Sequence, residues 1–64
     1  MDIFTATMIA EGDFLAAGID PEEVTEDMSI EAWQTLIDDG IVWQLQGAFG
    51  RTAAALIEAG VCVR

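Results

Sequence analysis

Three kinds of ionisable side chain occur in this 64-residue sequence: one thiol, Cys62; two guanidinium groups, Arg51 and Arg64; and twelve carboxylates. His, Lys and Tyr do not occur, so the commonest general bases and imine-forming groups are missing. Cys62 has no His partner to make it a nucleophile. Paired carboxylates can move protons, but acids this plentiful carry no specificity. The run Asp20, Glu22, Glu23, Glu26, Asp27 lacks the alternating oxygen ligands and central Gly of a calcium loop, and it reads as a solvated acidic face. The expectation is a non-enzymatic protein with no catalytic residue, no metal and no cofactor.

The other notable chemical group is Arg51, set in the stretch WQLQGAFGRTA, residues 43–53. On a helical wheel it lies opposite Phe49, Ala53 and Leu56. Its neighbours three and four residues away are Gly47, Ala48, Ala54 and Ala55, so its own helix offers it no local ion pair. Three readings follow. Arg51 reaches the C-terminus of the preceding helix and bonds its carbonyls or Asp38 and Asp39. Alternatively, the shallow face of Gly47, Gly50, Ala54 and Ala55 meets another protein chain, with Trp43 and Arg51 at the contact. In the third, Arg51 binds a small anion, phosphate or nucleotide. Trp43, Gly47, Gly50, Arg51, Ala54 and Ala55 are the candidate interface residues.

The charge distribution narrows the partners. Residues 1–39 hold eleven Asp or Glu and no Lys or Arg, while the remainder holds Glu58 against Arg51 and Arg64; the formal net charge is −10. Direct binding to nucleic acid is not expected, since Lys and Arg must neutralise phosphates. A basic protein partner fits, attracted by the acidic field. A nucleic-acid mimic, occupying the site of a protein that binds nucleic acid, fits if the acids share one surface. Hydrophobic residues make up 53% of the sequence and the mean hydropathy is +0.41, too apolar for a disordered acidic tail. A chain of this length buries only about 60% of its unfolded surface, so self-association to a homo-oligomer is expected to cover the surplus. No run approaches the length of a membrane span, no basic leader opens the sequence, and a single cysteine builds no disulfide framework. A cytoplasmic protein is the expectation.

The elements that must position these groups are helical. Leu36-Ile37-Asp38-Asp39-Gly40-Ile41 is echoed by Leu56-Ile57-Glu58-Ala59-Gly60-Val61, and more weakly by Leu15-Ala16-Ala17-Gly18-Ile19. An apolar pair followed by a spaced Gly and another apolar residue marks a helix ending on a left-handed glycine, closed by a hydrophobic staple. The first helix is expected from Ile3 to about Glu11 after Asp2 as N-cap, with Ile3, Phe4, Met8 and Phe14 on its apolar side. Asp20-Pro21-Glu22-Glu23 predicts a cap and a single turn. Ser29 caps a second helix over 30–39, with Ile30, Trp33, Leu36 and Ile37 inward. Residues 41–45 enter a third helix from about Gln46 to Ala59, with Phe49, Ala53, Leu56 and Ile57 inward. Trp33 is expected in the core, and Gln34, Gln44 and Gln46 in solvent.

Residues 31–62 also resemble a known group. Glu31-Ala32-Trp33-Gln34, Leu36-Ile37-Asp38 with Gly40, Trp43-x-Leu45-Gln46-Gly47-x-Phe49-Gly50-Arg51-Thr52-Ala53, and Leu56-Ile57-Glu58-x-Gly60-x-Cys62 are similar to short uncharacterised accessory proteins of actinobacterial tailed phages and prophages. The resemblance implies a setting, the bacterial host cytoplasm during infection, and carries over no catalytic or binding residue. Residues 1–64 are expected to form a single all-α domain, a small compact bundle of about three short helices with an extra turn near Pro21. Its expected role is protein–protein contact, with itself or with a bacterial host protein.

Overall fold

The computed structural model describes residues 1–64 and is a three-helix globule without strands. Helix α1 spans Ile3–Glu11, α2 spans Glu26–Asp39 and α3 spans Gly47–Glu58; one-turn 3-10 helices occupy Pro21–Glu23 and Ile41–Trp43. The all-α expectation holds, including the extra turn at Pro21. Asp20 caps that turn, its carboxylate accepting from Glu22 N–H at 3.0 Å.

α2 begins earlier than its sequence suggests. Thr25, not Ser29, is the N-cap: its hydroxyl accepts from Met28 N–H at 3.1 Å. Ser29 lies one turn inside the helix, and Glu26 and Asp27 fill the first turn, where carboxylates complement the positive end of the dipole. Two local caps compete in this stretch, and the one that lengthens α2 by a turn prevails. Asp2 occupies the N-cap position of α1 but makes no side-chain cap bond.

The helix ends follow the expected glycine chemistry, with one variation. At Gly60 (φ 78°), Gly60 N–H donates to Ile57 O at 3.1 Å and Val61 N–H to Leu56 O at 2.9 Å. This paired pattern is the Schellman closure. The same pair of bonds recurs after Met8-Ile9 and after Phe14-Leu15, so the weak echo at residues 15–19 is a genuine copy that closes a single turn. At Gly40 the chain departs: Gly40 N–H donates to both Leu36 O and Ile37 O at 3.1 Å, and Gly40 O then accepts from Trp43 N–H at 3.3 Å. The carbonyl starts the next turn, and the second bond of the Schellman pair, from Ile41 N–H to Leu36 O, is not made.

The core is small. Ala6 and Ile9 of α1, Ala32, Leu36 and Ile37 of α2, Val42, Ala53 of α3, and Cys62 are buried. α1 packs on α2, and α3 meets the rest of the backbone mainly at the Ile41–Trp43 turn. The inward side of α1 differs from expectation. Phe4 is 59% exposed, whereas Ala6 is fully buried. Alanine lets the two helix backbones approach closely, and the wheel then turns Phe4 outward.

Candidate functional site

The third helix delivers the candidate interface residues in two groups. Gly47, Arg51, Ala54 and Ala55 are exposed and share one side of α3 by helical spacing. Gly50 is half-buried beneath Trp43: a methyl group added there would sit 3.8 Å from Trp43 Cε3, ordinary van der Waals contact. Part of the small-residue face is therefore covered from within the chain, by a ring from the 3-10 turn. Trp43 itself stays 39% exposed, and the Arg64 guanidinium stacks over it, 4.7 Å from the ring centroid.

Arg51 does not reach the end of α2. The one ion pair in the structure joins the Met1 amine to Glu31 at 3.6 Å, and Arg51 bonds neither Asp38, Asp39 nor a carbonyl of α2. Its guanidinium instead lies back along its own helix, close enough to Gly47 that an added methyl there would stand 3.2 Å from Nη1. The intramolecular expectation for Arg51 fails because α3 approaches the rest of the fold through Val42, Trp43 and its inner side chains, leaving the Arg51 side in solvent.

The partner found at the end of α2 is the chain's final segment, and Gln34 holds it. Gln34 Nε2 donates to Val63 O at 2.7 Å and Val63 N–H donates to Gln34 Oε1 at 2.9 Å, so one amide pairs with the backbone as a neighbouring strand would. Gln34 Nε2 also donates to Asp38 Oδ1 at 2.9 Å, which orients the amide. The sequence places Gln34 in solvent; the structure makes it a tether. A signal existed in Gln34 and Asp38, which are four residues apart, but the distant partner left none. The tether seats Cys62 at 2% exposure. Burial first, and the charge of Asp38 second, push its thiol up from the ordinary value of 9.0. Such a thiol is held protonated and shielded, the opposite of an activated nucleophile.

A single open cleft of about 300 Å³ lies on the neighbouring side of α3. Trp33 and Phe49, both half-buried, line it with ring centroids 5.7 Å apart and planes tilted by 42°. Ala10 and Glu11 from the end of α1 form one wall, and Gln46, Ala48 and Thr52 form the other. Trp33, expected in the core, packs half-buried against it and also lines the cleft. The cleft exists because α3 leans on the 3-10 turn and on the Trp33–Phe49 contact instead of lying flat on α1 and α2. Arg51 does not line it, so the sequence's candidate cation and the fold's cavity are on different sides of α3.

No helix is long and apolar enough to cross a membrane. Residues 17–64 match the family described as a domain of unknown function (DUF7417). No curated protein and no solved structure matches the chain.

Proposed function

The chain belongs to the DUF7417 family, a domain of unknown function, and from that premise we propose that it acts by protein–protein contact, without catalysis, and associates with itself. The observation that carries this reading is the amount of large apolar side chain left outside a small core. Phe4 is 59% exposed, Leu15 78% and Val63 68%, with Trp43 exposed as well. Single exposed apolar residues are ordinary on any surface. Here they accompany a core of only eight buried residues, and contact with another chain supplies the burial that one copy lacks. The interface candidates on α3, Gly47, Arg51, Ala54 and Ala55, stand free to contribute to such a contact, with Trp43 beside Gly50 at its edge.

The setting proposed is the one that the sequence resemblance implies: an accessory protein of a phage or prophage, working in the cytoplasm of a bacterial host. A second reading is an acidic inhibitor that takes the nucleic-acid site of a host or defence protein. It is favoured by Asp27, Glu31 and Asp38, all exposed and aligned by helical spacing on one stripe of α2.

Sedimentation velocity at micromolar concentration tests the leading reading. A dimer or larger species is expected, weakened by Phe4→Ser and Leu15→Ser together. A monomer across that range removes self-association from the proposal.

A further inference from the structure

The walls of the cleft beside α3 differ in chemistry, and that difference selects a ligand. We infer that the cleft receives the side chain of an arginine on a basic protein partner. The inference rests on the protein–protein reading above and names the chemistry of the partner. The floor is aromatic: Trp33 and Phe49 both line the cavity, and a planar guanidinium stacks on such rings and is drawn to their faces. The chain makes this contact once within itself, where Arg64 lies over Trp43.

The rim supplies the charge. Glu11 is the only charged residue lining the cleft; it is exposed and has no ion-pair partner. It is also the last residue of α1, where the helix dipole adds negative potential. Neither of the chain's own arginines enters: Arg64 is over Trp43 and Arg51 lies beside Gly47. The cationic partner must come from outside.

The far wall decides between a free cation and a peptide. It is the first turn of α3, where Gln46 provides no side-chain cap and the N–H of Ala48, itself a lining residue, finds no acceptor in the chain. This donor gains nothing from a guanidinium, but it fits the carbonyl of a peptide that carries one. A free anion would meet Glu11 a short way across the cleft. About 300 Å³ is the lower end of the range for small-molecule sites, room for one long side chain and a little backbone.

Titration of the intact 15N-labelled chain, followed by amide and indole NMR shifts, tests the inference. The probe is acetyl-Gly-Arg-Gly-amide, and the control is the same peptide with citrulline, the neutral isostere of arginine. The arginine peptide is expected to move the Trp33 indole and the amides of Ala10, Phe49 and Thr52 in one saturable process, with the citrulline peptide several-fold weaker. Glu11→Gln should weaken the arginine peptide by about threefold to fivefold, the size of an exposed charge pair. Thr52→Arg, which supplies a guanidinium within the chain, should block the titration. Absence of a saturable shift, equal binding of the two peptides, or unchanged affinity in Glu11→Gln overturns the inference, as do shifts spread over the acidic surface. Sedimentation of the same samples is read independently. Self-association without an arginine response ends the inference and leaves the contact reading standing, while a response in a monomer supports the inference and removes self-association.

Discussion

Gly60 carries a φ of 78°, and a side chain added there would meet nothing within 4 Å. The requirement for glycine is therefore backbone strain alone. Gly60→Val is expected to cost about 1–2 kcal/mol, lowering Tm by about 5–15 °C in a domain of this size. Glu23→Ala, on an exposed residue, should leave Tm within about 2 °C. Thermal unfolding followed by circular dichroism compares the two, and equal shifts would show that the left-handed ending is not the constraint. Cys62 offers a second measurement at this scale. Its thiol pKa is raised in the fold, so the stability it contributes is complete below the unfolded value and is lost as pH rises through the folded one. The chain has no Lys or Tyr, which leaves Cys62 as the one side chain that titrates on the alkaline side below arginine. Denaturation midpoints should fall as pH rises past the ordinary thiol value of 9.0 in the native chain, and fall less in Cys62→Ala.

Capping decides where α2 begins, and two substitutions separate the alternatives. Thr25→Ala removes the bond to Met28 N–H and should cost about 1 kcal/mol. Ser29→Ala, one turn inside the helix, should be close to neutral. The reverse order would mean that α2 starts at residue 30. The final segment is held to α2 by the pairing of Gln34 with Val63. Gln34→Met keeps the length of the side chain and loses both bonds, at about 1 kcal/mol or more. The direct readout is Cys62: a disulfide reagent should modify it slowly in the native chain and faster by an order of magnitude in Gln34→Met, since opening of the segment is what exposes the thiol. An unchanged rate would mean that Cys62 opens by another route.

Twelve carboxylates and one ion pair make the molecule's contacts depend on salt in opposite directions. Two copies, each carrying −10, repel until ions screen them. The screening length shrinks from about 10 Å at 0.1 M to about 3 Å at 1 M salt. Self-association through apolar side chains should therefore strengthen between those concentrations, whereas binding of an arginine peptide should weaken. Sedimentation and NMR titration at the two salt levels measure the signs. Self-association that weakens with salt would point to a contact built on the two arginines rather than on Phe4 and Leu15.

Local chemistry was legible in the sequence: the helix endings at Gly40 and Gly60, the Pro21 turn, the outward side of α3 and the three-helix class. These depend on backbone conformation, capping and spacing along a few turns, which neighbouring residues determine. Ser29 marked the limit: it satisfies the local capping rule, but Thr25 satisfies it too and is the residue that caps α2. The site was less legible. Arg51 was recognisable as free of partners on its own helix, but its exposure follows from how α3 leans on Val42 and Trp43. Gln34 gave no sign of Val63, twenty-nine residues away. The cleft joins Glu11, Trp33 and Phe49 from three helices, and no spacing in a sequence encodes that. What the sequence determined was an acidic helical chain and where its helices end. The tertiary structure alone decided which side chains the core could not cover, because burial is settled by the packing of distant segments and a core of eight residues leaves much of the apolar surface outside.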